Sequence, residues 1–534
     1  MLTDRALNAL KSVHALGATG ILRPQRPDRL ARTLLALQRW GPTPAAGYTA
    51  SAIRYPDEVA VIDDHGTLTF AEVHRRSNGL AHAFSDAGIG EGDGVAVMCR
   101  NHRGFIETTV ACSKLGANAL YLNTAFAGPQ ITEVMAREKP VALVYDDEFA
   151  DLVSEGGRRR KRFIAWHEGE GKPADPLLED MIVGGDSSDV VPPAERGRIV
   201  ILTSGTTGTP KGASRKQPDS LMPAAALFSR IPLRARERTM IAAPMFHSWG
   251  FAHFTLGLAL SSTLVLRRRF DPEDVLSATA QHECTALAVV PVMLQRILEL
   301  PPEAIARYDL RSLRVVAASG SALPGELALK VMDAFGDVLY NLYGSTEVAW
   351  ATIATPADLR AAPGSAGRPP LGTVVNILDE QGHELKAGET GRIFVANEML
   401  FEGYTGGGNK DLVGNLMSTG DVGHFDANGR LYIDGRDDEM IVSGGENVFP
   451  REVEDLLADL PGVDEAAVIG VEDEQFGQRL KAFVVCTNGA KLSEEDVKGH
   501  VKSNLARYKV PRDVAFLREL PRNATGKVLK RDLR

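Results

Sequence analysis

The chain has only four cysteines in 534 residues, Cys99, Cys112, Cys284 and Cys486. They are too scattered to frame a disulfide scaffold, and no CxxC pair or Cys/His cluster has metal-ligand spacing along the sequence. A small secreted scaffold and a zinc module are thereby excluded, and a reducing cytosol is the expected setting. Apolar runs are short, and none reaches the roughly 18–20 residues that span a bilayer. The apolar stretch around Ala15 to Leu22 carries Gly17 and Gly20 and lacks the core of a signal peptide. Positive charge is not in excess. Sixty Lys and Arg against 69 Asp and Glu leave −9, which argues against the broad basic surface of a non-specific nucleic-acid binder.

What is present is ordinary for a folded protein. Hydrophobic residues make up 44% and charged residues 24%, which excludes a disordered or fibrous chain. The length exceeds what one compact core accommodates, so two or more domains are expected. The charge is uneven, because residues 1–54 hold eight Lys and Arg against Asp4 and Asp28, a balance of +6 that leaves −15 on the rest. Within this stretch Leu30, Leu34, Leu35 and Leu37 interleave with Arg29, Arg32 and Arg39, as on a helix with one apolar side. Such a helix either attaches weakly to an anionic membrane or packs on the protein body with a solvated basic face. The sequence favours the packed helix.

From about residue 55 to 435, short β-rich runs such as Gly94–Cys99, Arg198–Leu202, Met240–Ala243, Ala286–Val290 and Leu313–Ala318 alternate with helical-period stretches such as Val292–Leu300 and Glu326–Phe335. That alternation predicts an α/β architecture with largely parallel strands. After Asp434 come a Gly-rich turn, a helix Arg451–Leu460, strands Ala466–Val471 and Ala482–Cys486, a helix Glu494–Leu505 and a strand Val514–Leu517. These predict a small α+β domain. The expected division is a basic extension over 1–50, a large domain over 51–436 and a small domain over 437–534. The basic runs Arg158–Arg162 and Arg267–Arg269 lack interleaved aromatics and read as a surface loop and a strand exit.

Chemistry concentrates in Thr203-Ser204-Gly205-Thr206-Thr207-Gly208-Thr209-Pro210-Lys211-Gly212, directly after an apolar strand. Glycines admit backbone N–H groups close to an anion, hydroxyls add donors and Lys211 adds a point charge, a set suited to polyphosphate. It is not a P-loop, because Gly212 stands where the magnesium-binding Ser/Thr would follow the lysine. Four more segments follow: Tyr343-Gly344-Ser345-Thr346-Glu347, Ser418-Thr419-Gly420-Asp421, Gly435-Arg436-Asp437-Asp438 and Asn523-Ala524-Thr525-Gly526-Lys527.

In these five ordered motifs the chain resembles the adenylate-forming superfamily: acyl-CoA synthetases, luciferases and the adenylation domains of peptide synthetases. The resemblance runs from about residue 50 to the end and implies a large N-terminal domain with a small mobile C-terminal cap. It also implies ATP, Mg²⁺ and CoA as ligands, with a carboxylate attacking the ATP α-phosphate and a thiol then capturing the acyl-adenylate. By that resemblance Thr203, Ser204, Gly205, Thr206, Thr207, Gly208 and Lys211 hold the β- and γ-phosphates. Thr346 contacts the α-phosphate and Glu347 places the metal. Tyr343 and the Gly320-Ser321-Ala322 turn flank adenine, and Asp421 and Arg436 take the ribose. Lys527 bridges carboxylate and α-phosphate, Asp438 is the hinge, and Gly445 lines the pantetheine route with Ser443 and Gly444.

Pro244-Met245-Phe246-His247-Ser248-Trp249-Gly250 matches the family's acyl-pocket entrance. His247 there reads equally as a carboxylate-steering or gating residue and as a packed histidine. The apolar residues around it include no carboxylate until Asp271, so an amino acid is disfavoured and a fatty or other apolar carboxylic acid is expected, with medium- to long-chain fatty acids placed first although these residues do not set the chain length. Trp350 reads as pocket floor or core. After Lys211-Gly212 the sequence departs from the family's usual aliphatic and Ser-His continuation, with Ala213-Ser214-Arg215-Lys216. The expected activity is an AMP-forming fatty acid–CoA ligase. Alternatives are transfer of the acyl group to a carrier protein and a non-catalytic nucleotide or acyl sensor. Peripheral membrane contact through the N-terminal arm remains open, and no nucleic-acid partner is expected.

Overall fold

A computed structural model describes residues 2–169, 171–203, 211–215, 218, 220–405, 407–439, 441–443, 446–473, 477–505, 509–523 and 526–533. Among these the strands form four sheets. The first has eight strands, in the order Thr352–Ala354, Leu339–Tyr343, Val315–Ala318, Ala286–Val289, Arg238–Ile241, Thr263–Leu266, Val59–Asp63 and Gly66–Thr69. It is parallel except at its two edges. The second has seven, from Gly403–Tyr404 and Lys211–Arg215 through Ile199–Thr203, Asn118–Tyr121, Gly94–Met98 and Ala142–Asp146 to Lys161–Trp166. Its Gly403–Tyr404 and Lys211–Arg215 strands pair antiparallel and the rest parallel.

These two sheets are the expected α/β layers. Central strands such as Val315–Ala318 and Ala286–Val289 are buried along their whole length, which is why they read as continuous apolar runs. The apolar helix Ser248–Leu260 packs between the layers, sharing Phe254 and Leu258 with the core around Tyr121 and Ile201 and Trp249 and Leu256 with the core around Val289 and Val316. The run at 158–162 is no mere loop, since Lys161 and Arg162 begin an edge strand and Arg162 pairs with Asp175. Arg267–Arg269 does leave a strand, but Arg268 is buried on Trp166 and pairs with Glu148 and Glu168.

The third sheet corrects the uniform α/β reading. Val374–Leu378, Gly391–Ala396, Leu416–Phe425, Leu412–Val413 and Leu431–Arg436 pair antiparallel throughout. The fourth sheet combines Glu446–Val448, Ile441–Ser443, Gly477–Cys486, Val463–Asp473 and the parallel strand Asp513–Leu517, covered by helices Pro450–Ala458 and Glu494–Asn504. It is the small α+β unit expected after Asp434. At the other end, the helix Pro44–Arg54 runs across residue 50 and buries Ala45, Ala46, Tyr48 and Ser51 in the large body. The expected boundary at residue 50 falls inside this helix. No helix of the described residues is long and apolar enough to cross a membrane.

Candidate active site

One cavity of about 940 Å³ collects the carboxyl ends of the first sheet, the edge of the second, the third sheet and a loop of the fourth. It is lined by Lys211, His247, Gly320, Ser321, Ala322, Tyr343, Thr346, Glu347, Asp421, Arg436 and Lys527. Thr203 ends the strand Ile199–Thr203 and pairs in register with Lys211 across the loop. Ser204, Gly205, Thr206, Thr207, Gly208, Gly444 and Gly445 lie outside the described residues. Asp438 sits in the 3₁₀ turn Asp437–Glu439, which connects the third sheet to the fourth.

Asp421 and Arg436 are direct cross-strand partners on neighbouring antiparallel strands, so their side chains emerge on the same face. Their charged ends are 3.7 Å apart. The Tyr343 hydroxyl donates to Asp421 at 2.5 Å. Burial raises the Asp421 pKa above the usual carboxylate value, opposed by the Tyr343 hydrogen bond and the charges of Arg436, Lys527 and Lys410. Burial, with the neighbouring carboxylate, also pushes the Tyr343 phenol well above its ordinary value. The effect of Lys527 on Asp421 places the C-terminal lysine at the same end of the cavity as the Tyr343–Asp421–Arg436 group. Its loop is held by Asn523, whose side chain accepts from the Lys527 N–H at 2.9 Å and whose N–H donates to the Lys527 carbonyl.

The motif glutamate is buried. Glu347 accepts from the Tyr404 hydroxyl at 2.7 Å, and the Lys211 ammonium lies 5.3 Å from the centre of the Tyr404 ring. Tyr404 thus stands between Lys211 and Glu347, a link no sequence motif announces. A single carboxylate suits a magnesium ion that takes most of its other ligands from phosphate oxygens and water.

Lys211–Arg215 is a strand, not helical, and its alternation puts Lys211, Ala213 and Arg215 on the cavity face. The Arg215 guanidinium donates to the Thr346 carbonyl at 2.7 Å, while its Nε is buried without a partner. Desolvation lowers its pKa to about 10, opposed by the Glu347 charge. Arg215 is a cavity residue that motif matching missed, and its only signal was the departure after Gly212.

His247 precedes the first turn of the Ser248–Leu260 helix, with its Nε2 3.4 Å from the Asn123 amide nitrogen and its ring against Phe246. Burial lowers its pKa to about 4, so at neutral pH it is an uncharged imidazole in the cavity wall. Trp350 is buried, lines the cavity and donates to Thr373 at 2.8 Å, which makes it both floor and core. Folding also brings Cys99, His102 and Asp146 within 4.8 Å of one another, which sequence spacing hid. Both His102 nitrogens are engaged there, by Asp146 and the Gly104 N–H, and Arg268 lies 3.9 Å from Asp146. This arrangement is a structural hydrogen-bond network.

Comparison with known proteins agrees with this layout. Residues 48–405 match the AMP-binding enzyme family, and residues 452–527 match the AMP-binding enzyme C-terminal domain. The chain is 34% identical to a feruloyl-CoA synthase of an Amycolatopsis species over 484 residues, 90% of this chain and 96% of that one. It is 32% identical to an indoleacetate–CoA ligase of Aromatoleum aromaticum, over 91% and 94% of the two chains. Among solved structures, the o-succinylbenzoate CoA synthetase of Bacillus subtilis in complex with its acyl-adenylate intermediate superposes with a TM-score of 0.79 at 26% identity. That match covers 91% of this chain and 97% of that one.

Proposed function

The chain belongs to the AMP-binding enzyme family, and on that premise we propose that it is an ATP-dependent acid–thiol ligase that forms a CoA thioester through an acyl-adenylate. The observation that carries this reading is the single cavity in which Lys211, Thr346, Glu347, Asp421, Arg436 and Lys527 meet an apolar corridor. In the first step a carboxylate oxygen bonds to the α-phosphorus of ATP and pyrophosphate departs. In the second the CoA sulfur bonds to the acyl carbon, its proton is lost to solvent, and AMP departs.

Such transfers depend on positioning and on meeting charge as it develops. Lys211 and the preceding loop serve the leaving pyrophosphate, while Asp421 and Arg436 fix the ribose. Lys527 meets the carboxylate and α-phosphate. Bound magnesium, held by Glu347, supplies charge neutralisation between the phosphates. The neutral His247 closes the acyl side without presenting a second cation to the carboxylate.

The small domain is taken as residues 437–534, turning about Asp438 between the two steps, with Ser443 to Gly445 on the thiol route. The acid is read as an apolar carboxylic acid, with medium- to long-chain fatty acids first. Beyond His247 the cavity lining includes Phe251, Thr255, Leu258, Gly47 and Ala50, a largely apolar set that suits an aliphatic chain. An aryl or arylalkanoic acid is the second reading, favoured by the substrates that give the feruloyl- and indoleacetate-activating relatives their names.

The test supplies ATP, Mg²⁺, CoA and a panel of fatty and aryl acids and identifies products by mass. Acid-dependent pyrophosphate without thioester would shift the acceptor to a carrier protein, and no release with any acid would leave only a sensor. Lys527→Ala should depress adenylation about 100-fold or more while sparing thioester formation from added acyl-adenylate.

A further inference from the structure

The helix Pro27–Trp40 is packed the opposite way from the sequence expectation. Its inner side is made of Thr33, Ala36 and Trp40, all buried, with Ala36 and Trp40 in one cluster with Ala45 and Ala46 of the next helix. The leucines face out: Leu30, Leu34, Leu35 and Leu37 are 47%, 58%, 45% and 40% exposed. Leu30, Leu34 and Leu37 form one stripe at i, i+4 and i+7, and Leu35 widens it toward Arg32 and Arg39. Both arginines are exposed, as are Arg23 and Arg26 just before the helix, and among the described residues only Arg26 of these four is paired with an acid, Asp28. Thr33, Ala36 and Trp40 carry the packing, and the leucines are left exposed beside arginines.

The same arm closes one end of the cavity. Ile21, Thr33, Leu37 and Pro42 line it together with Thr255 and Leu258 of the Ser248–Leu260 helix. The cavity lined by His247 therefore reaches the helix that carries the exposed leucines.

We propose that the Pro27–Trp40 helix is a docking face for an anionic lipid bilayer, from which the acid passes into the corridor beneath it. Leucines enter the acyl boundary while Arg32 and Arg39, at the border of the stripe, reach phosphates. A second copy of the chain fits this face poorly, since two-fold pairing would bring the same arginines against each other. The entry route rests on reading the acid as apolar; the docking does not.

The experiment is co-sedimentation of the full chain with vesicles of phosphatidylcholine alone and of phosphatidylcholine mixed equally with phosphatidylglycerol. Binding to the anionic vesicles should exceed binding to the neutral ones by about 100-fold and fall as salt is raised. The variant Leu30→Gln/Leu34→Gln/Leu35→Gln should weaken it by about tenfold or more, and Arg32→Gln/Arg39→Gln by about 20-fold. All these positions are exposed, so both variants should keep the wild-type circular dichroism and turnover of a short water-soluble acid. No binding to anionic vesicles, or equal binding by wild type and both variants, overturns the docking. So does a wild-type dimer that the leucine variant converts to monomer without vesicle binding, which would make a second copy the occupant. If docking holds but the KM for vesicle-borne long-chain acid is the same in wild type and variants, the entry route alone is overturned. If no acid is activated at all, the ligase reading fails while sedimentation still decides the docking.

Discussion

A single methyl group added at Gly526 should separate the two half-reactions. Gly526 precedes Lys527, has φ +78°, and a Cβ built on it would lie 2.3 Å from Cγ1 and 3.0 Å from Cβ of Val292 in the helix Pro291–Leu298. Gly526→Ala therefore carries two penalties. Left-handed backbone costs an alanine about 1–2 kcal/mol wherever the cap sits. The clash costs about 1–3 kcal/mol and exists only while the lysine loop is seated against Val292. The second penalty alone shifts the cap away from this orientation, by about 5- to 150-fold. Acid-dependent ATP–pyrophosphate exchange should fall by that factor, whereas thioester formation from added acyl-adenylate should change much less. Val292→Ala removes both γ-carbons and should restore most of the exchange to the double variant, leaving the backbone penalty. Parallel loss in both half-reactions, or no restoration by Val292→Ala, would refute the argument that this contact belongs to one orientation of the cap.

Three further outcomes follow from the site. Asp421→Asn removes the charge that accepts from Tyr343 and faces Arg436; the KM for ATP in the exchange assay should rise about 10- to 100-fold with the acid's KM nearly unmoved, and a rise below about twofold would contradict a ribose role. Arg215→Met keeps bulk but loses the bond to the Thr346 carbonyl and the cation near Glu347. Adenylation should slow about tenfold and half-saturation with Mg²⁺ should move to lower concentration, so an unmoved Mg²⁺ curve would reduce Arg215 to packing. His253 is buried against Trp249 with neither ring nitrogen bonded, and its pKa is lowered to about 4 by burial. The folded state refuses a proton that the unfolded chain accepts below about 6.5, so stability is whole above that pH and is lost as pH falls toward 4, by about 3 kcal/mol. Denaturant titrations of His253→Leu across that window should show a correspondingly flatter profile, and an unchanged slope would place the acid sensitivity elsewhere.

The legible parts of this molecule are those whose chemistry is local in sequence. Tyr343 to Glu347 and Ser418 to Asp421 each put several functional groups within five residues, so a reading of motifs finds them without a fold. Tyr404 is 57 residues from the glutamate it bonds and sits on a two-residue strand, which leaves no periodic trace. Arg215 is visible only as an oddity until strand alternation turns it toward the cavity beside Lys211. The segment expected as strand at Met240–Ala243 is Arg238–Ile241, because parallel pairing with Thr263–Leu266 fixes the register and accepts the polar Arg238 and Thr239 at the strand start. The N-terminal leucines illustrate the opposite error. Hydrophobic pattern alone assigns the leucine side to the core, but the side that packs on Ala45 and Ala46 of the neighbouring helix is the one that carries Ala36 and Trp40.

The turn Asp437–Glu439 is held by polar bridges, Asp437 to Arg392 at 3.0 Å on the large body and Glu439 to Lys530 at 3.2 Å on the cap. Partly exposed ion pairs of this kind contribute little and exchange readily with water. Where Lys527 enters, Gly526 comes so close to Val292 that a Cβ on it would lie 2.3 Å from Cγ1. A lysine that must meet developing charge in one step and leave before a thiol arrives cannot be anchored by a deep apolar interface, because each large buried side chain would add roughly 1.5–3 kcal/mol to the cost of leaving. The glycine beside Lys527 lets the loop come close without bulk, so the orientation is set by shape at one point. For that reason Gly526, which bears no reactive atom, should separate adenylation from thioester formation as cleanly as the lysine itself.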